Sequence, residues 1–405
     1  MALDLRTRYD ADVVPLDETA FFERQLPALA AERSHLAVPG ARELGVQPFT
    51  LETPAGAWTL AVEGDRVEVG AGASGRAHAR LDAGELTDLV YDRITPMTLL
   101  TAGTLDMARG DLGDFLDWWV VLRSLVDGRE VHTAGSVTFA GRDGEPLELH
   151  RSFRIDEDLV EAAHFLSEAG FLHLEGVFGE EEMAQVSADM DAAFGSYEPD
   201  DGRSWWATTA CGARRPVRLQ FFDQQSPTTA SLLADERLSW IGRLSGEGHR
   251  ARTEGNLIEA LVKPIGVVEG ISDLPWHKDC SLGRHSYQCC GLTVGISVTG
   301  ADERSGQLAV VPGSHRALVQ PFSFRDSWGL PVVELPTRTG DVTVHCSCTL
   351  HMSFPPVDRE RRVMYTSFSL PPRPRDGAAP SNLEQLGRVR EAAYKTVSQT
   401  PSHGV

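Results

Sequence analysis

His277, Lys278 and Asp279 form a His-x-Asp triplet, and His351 and Arg362 follow downstream. Two imidazoles and a carboxylate can hold a non-haem iron(II) on one face and leave the opposite face open. The i, i+2 spacing of His277 and Asp279 puts both side chains on one side of a strand. A short strand cannot supply a whole facial triad, so the third ligand must come from elsewhere, and His351 is the candidate. An arginine after the last ligand, Arg362, can hold a dicarboxylate through a bidentate contact. Iron with a captured dicarboxylate suggests oxygen activation driven by 2-oxoglutarate. The plainer alternative is a buried His–Asp hydrogen bond with an unrelated His351, and the words around the triplet decide between them.

Ser305-Gly306-Gln307-Leu308 runs through Val311 to Pro312-Gly313-Ser314-His315-Arg316, and Gly340-Asp341-Val342 precedes Leu350-His351. In order and spacing these stretches resemble the phytanoyl-CoA dioxygenase family of iron(II)/2-oxoglutarate oxygenases, from roughly Val160 to Pro372. The resemblance implies a mainly-β double-stranded β-helix, a jelly-roll or cupin-like barrel with flanking helices and the metal at its open end. It implies His277, Asp279 and His351 as catalytic metal ligands, with iron(II), 2-oxoglutarate and molecular oxygen as cofactor and cosubstrates. Family spacing selects Arg362 over Arg361 for the distal carboxylate of 2-oxoglutarate, and alternation puts the two arginines on opposite faces. Ser353 shares the face of His351 and can donate to the same carboxylate, or be a plain strand serine. Lys263 lies where a strand feeds the metal site and could contact cosubstrate or substrate, or be solvated. Related halogenases lack the carboxylate, so Asp279 disfavours halogenation. His315 is read as structural, His285 as a loop or pocket residue, and His345 stays unassigned. Gly295 stands where some relatives carry a tryptophan, which implies a roomier pocket. The basic and aromatic run Arg214 to Phe222 is either an anion hook or a charged edge strand.

Those residues need elements to position them. At 405 residues, 41% hydrophobic and 24% charged, two soluble globular domains are expected. The expected division is an α+β domain over 1–130, a connecting segment 131–157, the barrel domain 158–375, and a partly helical tail 376–405. The first domain resembles a sterol-carrier-protein-like fold through Leu81-Asp82-Ala83, Gly103-Thr104-Leu105-Asp106 and Arg109-Gly110-Asp111. Trp58 to Val62 alternates, Glu63-Gly64-Asp65 turns, and Val67 to Val69 returns, a hairpin pattern. Asp82 and Glu85 have the spacing of a helix capping box. Asp114 to Val126 carries a wide apolar helical face with Trp118-Trp119, which either packs the helix or lines a lipid cleft. Asp158 to Ala169 reads as a helix stopped by Gly170, Phe171 to Leu174 as a strand, Glu180 to Phe194 as a second helix, and Asn382 to Val397 as weakly helical.

The formal net charge is −20, which repels nucleic acid and anionic membranes. No apolar run is long enough to span a bilayer, and Met1 to Asp12 lacks a signal-peptide core, so a cytoplasmic location is expected. Six cysteines do not make a disulfide scaffold, and those near the ligands read as small buried thiols. The expected function is hydroxylation of an unactivated carbon of a small metabolite, a hydrophobic one if the first domain binds lipid. The alternative is a lipid or acyl carrier with a catalytically silent barrel. A small-molecule substrate is the expected partner, and the oligomeric state is open.

Overall fold

A computed structural model of the chain describes residues 13–245, 248–270, 272–282 and 291–370, with only the backbone of 281 and 282. The expected tail, the Asn382–Val397 helix, His285, Cys289 and Cys290 lie outside the described residues. No helix among the described residues is long and apolar enough to cross a membrane.

The N-terminal unit is α+β. Its strands are β1 (Phe49–Thr53), β2 (Gly56–Glu63), β3 (Arg66–Ala71), β4 (Ala77–Arg80) and β5 (Asp106–Arg109), in the order β3-β2-β1-β4-β5. The β2–β3 hairpin closes at Glu63 opposite Arg66, as the alternation from Trp58 to Val62 requires. Asp82 caps the helix Ala83–Val90, and the expected reciprocal bonds with Glu85 are both formed. The helices Leu26–Leu44 and Leu112–Asp127 pack on one another and on this sheet. Trp118 and Trp119 are 3% and 1% exposed inside that core, and the Trp118 indole donates to the Gln47 carbonyl at 2.6 Å. The tryptophan pair therefore packs the helix.

The second unit adds β6 (Phe171–Leu174), β7 (Ser204–Thr209), β8 (Arg214–Leu219), β9 (Arg250–Ala251), β10 (Glu259–Lys263), β11 (Val267–Glu269), β12 (Gly291–Ser297), β13 (Leu308–Val310), β14 (Val333–Leu335), β15 (Val342–Cys346), β16 (His351–Ser353) and β17 (Arg361–Ser369). The large sheet runs β11-β7-β8-β10-β17-β12-β15-β6, with β9 also on β17, and the small sheet runs β14-β13-β16. His277 extends the small sheet by an antiparallel bridge to His351. Two sheets enclosing one interior give the jelly-roll arrangement. Asp158 caps the helix Leu159–Ala169 and Gly170 ends it at φ 83°. In the Gly340-Asp341 turn a Cβ on Gly340 would meet the Phe178 carbonyl oxygen at 2.0 Å, so only glycine fits. Asp341 then accepts from the Gly176 and Arg338 amides at 2.8 and 2.7 Å, tying β15 to the chain after β6.

The two units share a dense seam. Val131 pairs with Leu318, and Leu318 joins the N-terminal core. The His132 ring bonds the Trp328 carbonyl at 2.9 Å. Arg325 reaches both carboxylate oxygens of Asp117 at 2.8 and 2.6 Å. The helix Pro96–Ala102 packs on the turn Asp279–Leu282. The N-terminal unit thus touches the segment that carries Asp279. Asp117→Ala should cost about 1.5–3 kcal/mol of stability, the range for hydrogen bonds to charged groups. Urea denaturation measures it, and a loss indistinguishable from zero would mean that the pair is effectively solvated.

Candidate active site

Backbone pairing brings the ligand strands together. The His277 amide donates to the His351 carbonyl at 2.9 Å, and the His351 amide to the His277 carbonyl at 3.0 Å. The Pro312-Gly313-Ser314 turn clamps the same two segments. The fully buried Lys278 donates Nζ to the Ser314 carbonyl at 2.8 Å, and the Leu350 amide donates to Ser314 Oγ at 2.7 Å. Ser314 itself therefore bonds the neighbours of all three proposed ligands. His315 lies outside the cluster, with Nε2 on the Ser167 carbonyl at 2.9 Å.

One donor atom from each of His277, Asp279 and His351 lies within 4.8 Å of the others. Asp279 Oδ1 is 3.4 Å from His277 Nε2 and 3.7 Å from His351 Nε2. Both histidines place Nδ1 on a carbonyl two residues upstream, Pro275 at 2.7 Å and Thr349 at 2.9 Å. Those bonds put the ring proton on Nδ1 and leave each Nε2 lone pair facing the cluster. Burial, followed by the neighbouring His277 and His351's other neighbour His345, holds the His351 imidazole well below its ordinary range, against the opposing pull of Asp279. It is thus neutral, as a metal ligand must be. Burial alone would raise the Asp279 carboxyl, but the close approach of the His351, His277 and His345 rings outweighs it and holds the group well below the carboxylate range. Two imidazoles that offer Nε2 and a carboxylate fit a hard-to-borderline divalent ion such as iron(II).

A basic cradle occupies the interior near β10, β16 and β17. Lys263 and Arg361 are opposite one another in the β10–β17 register, and they are 2% and 4% exposed. Lys263 Nζ and Arg361 Nη1 both donate to Ser353 Oγ, the latter at 3.1 Å. Arg361 also bonds the Gly306 carbonyl and, at 3.3 Å, the Tyr365 hydroxyl. Burial first and Arg361 second push the Lys263 ammonium well below its ordinary range, with Asp273 opposing. Two buried cations sharing one hydroxyl form a site for an anion. Gly295, Ser297 and Thr343 line a cavity with Arg361, Leu308 and Leu335, which joins both sheets.

Arg362 is not in this cradle. Alternation along β17 turns it outward, where it donates to the Ser187 carbonyl at 2.9 Å and pairs with Asp191 and Glu360 at 2.8 and 3.1 Å. The irregular segment from Phe354 to Glu360 separates β16 from β17, so counting from His351 carries no face information across it. Arg362 ties the helix Glu180–Ala193 to the barrel, and Arg361 takes the inward position. Gly295 also differs from expectation: a Cβ there would meet Thr343 Oγ1 at 2.8 Å and the Tyr365 ring at 2.9 Å. Tyr365 fills the space that a larger residue would use, so the pocket is not roomier. In the run from Arg214 to Phe222, Arg215 pairs with Glu360 at 2.8 Å and Arg218 with Glu259, which suits internal ion pairing on a strand.

His345 is the residue that spacing alone left unplaced. It is 1% exposed, its ring centroid is 4.2 Å from that of His351, and its Nε2 lies 3.4 Å from Asp279 Oδ2. A turn intervenes between β15 and β16, yet both imidazoles reach the same carboxylate.

Solved structures similar to the chain include AviO1 from Streptomyces viridochromogenes Tue57, at 21% identity over 56% of this chain and 98% of that one, with a TM-score of 0.42. SnoN, a non-heme alpha ketoglutarate dependent epimerase from nogalamycin biosynthesis, is 19% identical over 55% of this chain and 91% of its own, with a TM-score of 0.42. HygX from Streptomyces hygroscopicus, solved with nickel and 2-oxoglutarate bound, is 18% identical over 52% of this chain and 86% of its own, with a TM-score of 0.39. No curated protein matches the chain. Residues 166–363, which contain the whole donor cluster and the basic cradle, match the family of Phytanoyl-CoA dioxygenase (PhyH), in support of the resemblance carried by their motifs.

Proposed function

We propose that the chain is an iron(II)/2-oxoglutarate-dependent oxygenase acting on a small organic molecule, most simply as a hydroxylase. One observation carries the reading: a His–Asp–His donor cluster and a buried two-cation cradle occupy the same barrel. His277, Asp279 and His351 would hold the metal. Arg361, Ser353 and Lys263 would hold the distal carboxylate of 2-oxoglutarate. When bound, iron(II) with 2-oxoglutarate and oxygen supplies the oxidising power needed to functionalise an unactivated carbon–hydrogen bond.

The chain's own residues do the rest. The Nδ1 bonds to Pro275 and Thr349 keep each Nε2 available for a metal. The cradle fixes an anionic cosubstrate by its far end, so its orientation is set before a substrate arrives. Leu308, Leu335 and Val363 keep water away from that end. The N-terminal unit, sterol-carrier-like in its sequence words, would wall the mouth through the helix Pro96–Ala102 and favour an apolar substrate there. A silent carrier would have no use for two imidazoles aimed through Nε2 at one buried carboxylate or for a buried lysine and arginine sharing a hydroxyl.

Metal binding gives the first test. His277→Ala and Asp279→Ala should each abolish iron(II) binding and 2-oxoglutarate-dependent succinate release, and unchanged succinate release in both variants would remove the assignment. The cosubstrate gives the second. Arg361→Ala should weaken 2-oxoglutarate binding by about 2–5 kcal/mol, as expected when one partner of a buried charge pair is lost. Arg362→Ala should leave that affinity intact and lower stability. The depressed Lys263 ammonium adds a pH dependence with a definite sign. As pH rises through its lowered range the amine loses its charge, so 2-oxoglutarate affinity should fall at a pH where an ordinary lysine is still charged. Calorimetric titrations across pH would show a flat profile in this region for Lys263→Met.

A further inference from the structure

The ligand histidines and His345 differ in one respect. His277 and His351 each have a carbonyl acceptor at Nδ1 that dedicates Nε2 to the cluster. His345 has none: both of its ring nitrogens are buried and without a hydrogen-bond partner. A buried imidazole in that state costs stability unless something in the working protein engages it. Its Nε2 points at Asp279, but at the outer oxygen. Oδ1 is the oxygen that faces His277 and His351, whereas Oδ2 lies 3.4 Å from His345 Nε2 and accepts from Thr293 Oγ1 at 2.7 Å. The donor cluster within 4.8 Å contains His277, Asp279 and His351 and leaves His345 out.

We infer that His345 is a positioning residue of the metal centre: with Thr293 it donates a hydrogen bond to Asp279 Oδ2 and holds the carboxylate so that Oδ1 alone faces the metal. This inference rests on the metal-binding role proposed for the triad. Two donors on one carboxylate oxygen, from β12 and β15, prevent the group from rotating to offer both oxygens. The backbone explains how the two donors meet. Thr293 and His345 are direct partners in the antiparallel β12–β15 register, so their side chains leave the sheet on the same face. Nothing fixes the His345 proton on Nδ1, so Nε2 is free to carry it. A small rotation of the ring closes the remaining gap.

The test uses the full chain and cobalt(II) alone as the probe, followed by calorimetry. His345→Phe keeps a planar ring and removes the donor, and His345→Gln keeps a donor. Unfolding temperature is measured in parallel. Outer-shell partners of ligands typically contribute about 10- to 100-fold in metal affinity. His345→Phe should therefore bind cobalt(II) about 10- to 100-fold more weakly than the natural chain, and His345→Gln should recover most of the loss. Thr293→Val should weaken binding in the same direction. If His345→Phe binds cobalt(II) as tightly as the natural chain, His345 does not position the ligand. If His345→Gln is as weak as His345→Phe, the imidazole itself is required and the donor assignment is overturned. Failure of the natural chain to bind cobalt(II) would instead remove the metal-centre reading on which the inference rests.

Discussion

The reciprocal backbone pair between His277 and His351 is the constraint on which the site depends. One antiparallel bridge, with amide–carbonyl distances of 2.9 and 3.0 Å, sets two histidines from distant parts of the chain side by side. An isolated pair would be a weak tether, since a single backbone hydrogen bond contributes about 0.5–1.5 kcal/mol net. The Pro312-Gly313-Ser314 turn reinforces it from beneath. The Ser314 carbonyl takes the Lys278 ammonium and its hydroxyl takes the Leu350 amide. Ser314 and Lys278 are both fully buried, so removing either leaves an unmatched polar group in the interior. The same turn that carries the family resemblance in sequence thus clamps the two ligand segments.

Electrostatics sets the second constraint. The chain carries a net charge of −20, yet its barrel encloses Lys263 and Arg361 at 2% and 4% exposure. Burial first and the like charge of Arg361 second depress the Lys263 ammonium. On the proposed reading, an incoming dicarboxylate would offset both effects. Arg362 shows the contrasting case. It is a cation of the same type one residue away, but Asp191 and Glu360 already neutralise it outside the barrel. Its role is to join a helix to the sheet.

Local signals were legible in the sequence, and long-range ones were less so. The Asp82 capping box, the Gly170 helix stop and the β2–β3 hairpin follow from residues a few positions apart, and each forms as read. The convergence of His277, Asp279 and His351 was legible from motif order, although Asp279 opens a 3-10 turn after the His277 bridge instead of continuing a strand, so the expected alternation is not what joins them. The choice between Arg361 and Arg362 was not. It depends on a face count that the irregular Phe354–Glu360 segment interrupts. His345 was undecidable for the same reason, because a turn separates β15 from β16. Gly295 read as a gap because a single position cannot reveal that Tyr365, its cross-strand partner, fills it. The seam with the N-terminal unit left no local mark at all, since the Asp117–Arg325 pair and the Val131–Leu318 bridge each span about half of the chain.

The central claim is that the donor cluster and the basic cradle are two ends of one cosubstrate site. The most direct measurement is an anaerobic titration of the iron(II)-loaded protein with 2-oxoglutarate, following the visible charge-transfer absorption of an iron(II)–2-oxoacid chelate. A saturable band with one equivalent per chain is expected, lost when His351 is replaced by alanine. The band should demand far more 2-oxoglutarate when Arg361 is replaced. A band that saturates identically in the Arg361→Ala protein would contradict the account, because the cradle would then lie apart from the metal's cosubstrate.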